Sequence, residues 1–183
     1  MRAFLAIEVD AMTRCRLEEL QNSLRRAGVQ DVTWVKPDAM HVTLQFLGEI
    51  SQEQCRVLQM QLRDLPVMKS FTFIVQGTGA FPSPSRASVL WAGIKKNAQL
   101  DELVSRVRLC VQACAIHADF RPFCPHLTLG RIRRPRRHDA FAKILERQAL
   151  FHAEIPVHSF VLMESQLTSK GPLYQVIERF VLA

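Results

Sequence analysis

A chain of 183 residues has room for one domain, and its 48% hydrophobic content is enough to fill a core. Lys and Arg outnumber Asp and Glu by 24 to 17, a net charge of +7 that suits a polyanion, RNA or DNA, better than an acidic protein or a bare metabolite. The plainer alternative is a basic surface that only confers solubility. Five cysteines, odd in number and without a C-x-x-C pair, give neither a zinc spacing nor a disulfide framework, so free thiols in a reducing cytosol are expected. The N-terminal apolar run is too short for a signal peptide and no run approaches membrane-spanning length, so a cytoplasmic protein with no membrane partner is expected.

In chain order, residues 4–9 form a β-branched and aromatic run that predicts a strand, and Asp10 can cap a helix by accepting first-turn amides. Leu17, Leu20, Leu24 and Ala27 recur at helical spacing until Gly28. Extended structure resumes at 32–35, and Pro37 breaks it before a strand at 41–47 that Gly48 ends. Ser51 and Gln54 have the form of a capping box, opening a helix with Cys55, Leu58, Leu62 and Leu65 on one face. A strand at 71–76 leads into the Gly- and Pro-rich 77–84, which reads as a loop and lacks the G-K-[ST] of a phosphate-binding loop. A strand at 87–94 precedes a helix with Leu100, Leu103, Val104, Val107, Val111 and Cys114 in one stripe. After a proline-broken entry comes a strand at 126–132, then a short helix at 139–148. Strands at 157–164 and 174–182, separated by a turn at 169–172, close the chain. The order looks like a unit used twice, which together with hairpin-like turns predicts an α+β fold with antiparallel sheets in a single domain spanning 1–183.

Two short segments carry the chemistry. His41-Val42-Thr43-Leu44 and His126-Leu127-Thr128-Leu129 share the pattern His-x-Thr-Leu, 85 residues apart, each with a proline four residues upstream, Pro37 and Pro122. In a strand, alternate side chains share a face, so each histidine projects beside its threonine while the leucine is buried. Two such strands facing across a cleft would set two imidazoles and two hydroxyls around one small anion. Phosphodiester cleavage needs that set: a base for the nucleophile, an acid for the leaving oxygen, and donors for charge on the phosphoryl oxygens. Histidine fills both proton roles because its reference pKa of ~6.5 lets either form exist near neutrality. A lone strand histidine is more often a packed or surface residue; the second matching copy is what separates this pair. No metal-ligand pattern such as H-x-H or H-E-x-x-H is present, and neither metal nor cofactor is expected.

The chain resembles the two-histidine phosphoesterases, and among them the RNA 2′,3′-cyclic phosphodiesterases once described as 2′-5′ RNA ligases. The resemblance runs from Arg2-Ala3-Phe4-Leu5-Ala6-Ile7 through both motifs and Val89-Leu90-Trp91-Ala92-Gly93 to a tail that includes Tyr174. It implies a two-lobed, pseudo-symmetric fold, each lobe an antiparallel sheet with helices outside and the active groove between lobes. It also implies hydrolysis of RNA 2′,3′-cyclic phosphates to 2′-phosphates, with 2′-5′ ligation as the reverse reaction. By the same analogy His41 is the proton donor and His126 the proton acceptor; the near-symmetric motifs alone leave that choice open. Thr43 and Thr128 are candidate substrate donors. Arg131 is either a phosphate contact or a solvated side chain on the opposite strand face. Tyr174 and Phe4 are further substrate candidates, Phe4 having core packing as its alternative. Arg131, Arg133, Arg134, Arg136 and Arg137 would make a basic rim for the RNA backbone. The expected partner is RNA with 2′,3′-cyclic phosphate ends, tRNA fragments among them, acted on by a monomer. The rivals are an RNA-end-binding protein without turnover, and an enzyme for small cyclic nucleotides or 2′-5′ oligonucleotides.

Overall fold

The computed structural model describes residues 1–133, 139–147, 151–168 and 171–183. Arg134, Arg136 and Arg137 of the expected basic rim, and Ser169 and Lys170 of the expected turn, lie outside the described residues. In chain order the elements are β1 (Arg2–Glu8), α1 (Ala11–Arg26), β2 (Val32–Trp34), β3 (His41–Glu49), α2 (Gln52–Arg63), β4 (Phe71–Phe81) and β5 (Val89–Ile94). They continue with α3 (Ala98–Ala113), β6 (His126–Ile132), α4 (Asp139–Arg147), β7 (His152–Val157), β8 (Ser159–Thr168) and β9 (Gly171–Val181). The helix starts follow the sequence. Asp10 accepts the Thr13 amide at 2.9 Å, and Ser51 and Gln54 form the reciprocal capping box at 3.0 Å in both directions.

Among the described residues the strands form one nine-stranded sheet, ordered β7-β4-β5-β6-β3-β1-β8-β9 with β2 beside β6. Every pairing is antiparallel. The fold is α+β with two four-stranded halves, β7-β4-β5-β6 and β3-β1-β8-β9, that meet where Val42 of β3 lies opposite Leu127 of β6. The halves are interlocked: β4 follows α2 in the chain but pairs with β5, whereas β8 returns to pair with β1. The helices cross over too, α3 packing on β3 and α1 on β7.

The apolar stripes of α1 and α3 and the inward residues of the motif strands fill one core. Val42, Leu44, Leu127 and Leu129 are all buried in it with Leu17, Leu24, Leu103 and Val107. Each such leucine contributes ~1.5–3 kcal/mol relative to exposure. A one-residue slip of either motif strand would expel its leucines into the groove, so this burial fixes which face carries the histidines.

Three features differ from the sequence reading. The Gly-rich segment after 76 is not a loop: β4 runs on to Phe81, with its ladder to β5 shifted between Val75 and Thr78 where Gly77 takes a positive φ of 73°. Gly79 continues the strand because the Trp91 ring lies on it; a Cβ there would fall 2.2 Å from Trp91 Cζ2. Trp91 therefore lies on the groove face opposite Gly79. An additional strand, β7, holds Pro156, which argues against a strand in sequence but is tolerated here because β7 is at the sheet edge. The final hairpin, β8–β9, is longer than expected and keeps pairing through Thr168 and Gly171. Gly79→Ala is expected to lower unfolding stability by ~1–3 kcal/mol through overpacking against Trp91. Urea denaturation reads this directly, and an unchanged midpoint would show that the ring moves aside without cost.

Candidate active site

The motif strands do not face one another across a cleft; they lie side by side at the seam between the halves. Continuing the register from Val42–Leu127 puts His41 opposite Thr128 and Thr43 opposite His126. All four side chains share the face away from the core, and diagonal partners of this kind sit roughly 7–8 Å apart. The two imidazoles and two hydroxyls thus form a square with like groups at opposite corners.

Immediately beyond each threonine the strand gains one residue. Against β1 the ladder steps from Ala6–Thr43 to Leu5–Gln45, and against β5 from Trp91–Thr128 to Leu90–Gly130. The leucine of each His-x-Thr-Leu is the extra residue of a β-bulge, which reverses the alternation downstream. Phe46 and Arg131, each five residues after its histidine, therefore return to the groove face, opposite Phe4 and Val89. Without the bulge Arg131 would project on the other side, the alternative that alternation alone could not dismiss. Polar side chains hold the bulged strands. The buried Gln21 of α1 donates to the Val35 and Leu129 carbonyls at 2.8 Å, and Arg108 of α3 donates to Gln45 Oε1 and the Arg121 carbonyl at 2.9 Å. The buried Gln45 in turn donates to the Asp119 carbonyl at 2.8 Å, tying β3 to the loop that forms one wall of the groove.

Both imidazoles are oriented in the same way. His41 Nδ1 lies 2.9 Å from the Ala39 carbonyl and His126 Nδ1 lies 2.7 Å from that of Cys124. A carbonyl only accepts, so Nδ1 carries the proton in each ring and Nε2 is left to take or give one. The surroundings differ. His41 is half-buried against the rings of Phe4 at 4.8 Å and Tyr174 at 5.1 Å, while His126 has the Phe81 ring at 5.1 Å. Burial pushes the pKa of His41 below its ordinary value, and the neighbouring His126 adds to this against the opposing pull of the Ala39 carbonyl and Glu8. Because the folded state favours the neutral ring, the unfolded chain binds more protons between the folded and unfolded pKa values. The resulting stability is present above ~6.5 and lost as pH falls through that point toward the folded value. Histidine NMR titration is expected to find His41 below ~6.5, rising on addition of inorganic phosphate, whose charge offsets both causes. A His41 midpoint at or above ~6.5 in the free protein would contradict this account.

A groove of about 740 Å³ opens on this face, lined by both threonines, His126, Phe46, Phe81 and Arg131 together with the wall residues Arg108, Asp119, Arg121 and Phe123. Tyr174 is half-buried at the His41 side, and burial raises its pKa while Arg131 and Arg2 pull it down, so its hydroxyl stays protonated as a donor. Of the two readings of Phe4, the substrate role is corrected and the packing role holds: it is 2% exposed and packed in a small groove-face cluster with Ala6, Val161 and Met163, so no ring face is open to a base. It supports His41 instead. Sequence reading missed Phe46, Phe81, Gln21, Gln45 and Arg108. A signal existed for two of them: Gln21 and Arg108 interrupt apolar stripes at core-facing positions, four residues after Leu17 and Val104. Among the described residues no three His, Cys, Asp or Glu side chains converge, and no helix is long and apolar enough to cross a membrane.

The model of the LigT-like phosphoesterase family matches residues 7–91 and 93–174. The chain belongs to this family. An RNA 2′,3′-cyclic phosphodiesterase of Methanothermobacter thermautotrophicus is 32% identical over 187 residues, covering 100% of this chain and 99% of the relative. A protein of the same name from Archaeoglobus fulgidus is 32% identical over 181 residues, covering 98% and 99%. Among solved structures, TT0787 of Thermus thermophilus superposes with a TM-score of 0.85 at 30% identity, covering 100% of this chain and 98% of that one. LigT of E. coli in its apo form shares the fold of this LigT-like chain, with a TM-score of 0.76 at 24% identity over 99% and 96% of the two chains.

Proposed function

We propose that this LigT-like protein hydrolyses 2′,3′-cyclic phosphodiester ends of RNA to 2′-phosphomonoesters. The observation that carries the reading is the square of His41, Thr43, His126 and Thr128, in which each imidazole has its Nδ1 fixed on a carbonyl and its Nε2 free. Full-length relatives named RNA 2′,3′-cyclic phosphodiesterase support the substrate class. In the reaction, water attacks phosphorus and gives its proton to His126 Nε2, while the bond from phosphorus to the 3′-oxygen breaks and that oxygen takes a proton from His41 Nε2. The 2′-oxygen stays on phosphorus. Thr43 and Thr128 donate to the non-bridging oxygens, where charge accumulates in the transition state. Burial holds His41 neutral in the free protein; an anionic phosphodiester between the rings favours the imidazolium that its acid role requires.

The working unit of the proposal is the whole of 1–183 as one two-lobed domain, because the square takes one motif from each half. It acts as a monomer in the cytoplasm on cyclic-phosphate RNA ends such as those of tRNA fragments. The test is incubation of a short RNA ending in a 2′,3′-cyclic phosphate, with EDTA present, followed by identification of the product phosphate position. A 2′-phosphate is expected. Tight binding of the end without turnover would replace this reading with an RNA-end-binding protein, and turnover abolished by the chelator would replace it with metal-dependent hydrolysis.

A further inference from the structure

Glu8 of β1 lies directly opposite His41 in the β1–β3 ladder, and facing residues of an antiparallel pair have Cβ atoms roughly 4.5–5.5 Å apart. Two residues before Glu8, Ala6 faces Val161 of β8, which faces Arg179 of β9. Arg179 therefore projects from the same side of the sheet as Glu8 and His41. It forms an ion pair with Glu8 and donates to Ser159 Oγ at 3.0 Å. Glu8, Ser159 and Arg179 line a second cavity of about 330 Å³ that shares no residue with the groove. The titratable side chains facing the His41 ring are Glu8 from β1, His126 from β6 and Tyr174 from β9. The carboxylate of Asp38, just before β3, is turned onto Arg14 at 3.4 Å, while Arg131 and Arg2 bear on the Tyr174 hydroxyl. Glu8 is thus the anion set against His41, and Arg179 is the cation that competes for it.

We infer that the Glu8–Arg179 pair sets the pH at which His41 takes up its proton, Glu8 as a positioning residue for that proton and Arg179 as the counterweight. The inference rests on the hydrolase reading only for its kinetic test, and it holds whichever way His41 passes the proton. A carboxylate facing an imidazole favours the imidazolium, whereas burial and the second imidazole oppose it. A guanidinium bound to that carboxylate draws its field away, so the net pull on His41 depends on how firmly Arg179 is held. Ser159 is the group that holds Arg179 in place beside Glu8. Without the carboxylate, a half-buried imidazole beside another imidazole would charge only at lower pH. The square would then run short of its one charged ring near neutrality, since two neutral imidazoles supply a base but no acid.

The test follows His41 by NMR titration of the free protein in Glu8→Gln, Arg179→Gln and Arg179→Lys. Alongside it, the pH profile of kcat/KM is measured on a short RNA ending in a 2′,3′-cyclic phosphate. Glu8→Gln is expected to lower the His41 midpoint by roughly half a pH unit or more, and Arg179→Gln to raise it by about the same amount. Arg179→Lys keeps the charge and should stay near the wild-type midpoint. The limb of kcat/KM that follows His41 should move with the midpoint in each variant, because kcat/KM reports the free enzyme. A pair that merely pins β9 to β1 predicts that both glutamine variants act alike, with Tm lowered together and no opposed shifts. Shifts of one sign in both, or no shift in either, overturn the inference. If one glutamine variant fails to fold, the sign of the shift in the other decides. An inactive wild type sinks the hydrolase reading and leaves the titration to decide this one.

Discussion

His41→Ala and His126→Ala are each expected to lower kcat on a cyclic-phosphate RNA end by about 10²-fold or more, because each removes one of two proton transfers. Neither change should unfold the protein. His126 is held by the Cys124 carbonyl and the Phe81 ring at a half-exposed position, and His41 packs on Phe4 and Tyr174, whose rings stay supported by Ala6, Val161 and Met163. Groups that act as a unit are not additive, so the double variant should lose little more than the worse single one. Single-turnover rates with saturating protein read the chemical step without the binding step. Binding of an RNA end carrying a 2′-phosphate, measured in parallel, should survive in both variants because Thr43, Thr128 and the groove cations remain. If either alanine variant keeps full single-turnover rate, that histidine does not move a proton in the reaction, and the square loses its meaning as a catalytic unit.

How much of this was readable in the chain follows from how local each determinant is. The capping of α1 and α2 depends on residues within three positions of one another, and Asp10, Ser51 and Gln54 were legible for that reason. The motif faces were legible because the threonine shares, and the leucine opposes, the histidine's side over a run of four residues. What alternation could not supply was the bulge at Leu44 and Leu129, a property of the ladder with a neighbouring strand, and it decided the side taken by Phe46 and Arg131. Phe4 kept two readings, substrate contact or core, for a related reason: β1 reads as one apolar run, whereas its two faces serve different clusters, Leu5 and Ile7 in the main core and Phe4 and Ala6 under the groove. The interlocking of the halves, with β4 and β8 crossing to pair beyond their own repeat, leaves no local trace. Nor does the meeting of the motif strands at Val42 and Leu127, which converts two separate signals into one site.

Thr43→Val and Thr128→Val are each expected to cost about 10²–10³ in kcat, the usual loss on removing one donor aimed at developing phosphoryl charge. Valine keeps the shape and the β-branch that suits a strand, so the change isolates the hydroxyl. Both threonines are half-buried in the groove, and neither hydroxyl is engaged with another described residue, so the donor is available to an anion. Each sits directly across from the histidine of the other motif, and a phosphoryl oxygen reached by one imidazole is therefore within reach of the threonine from the partner strand. Serine at either position restores the donor without the methyl and should recover most of the rate, which a merely packing role would not predict. The loss should fall on kcat more than on KM, because the non-bridging oxygens gain charge only as the water enters. Valine variants within ~3-fold of wild type in kcat would move the charge-stabilising role away from the threonines. Arg131, the one groove arginine with no partner among the described residues, would then be the nearest remaining source of positive charge for the transition state.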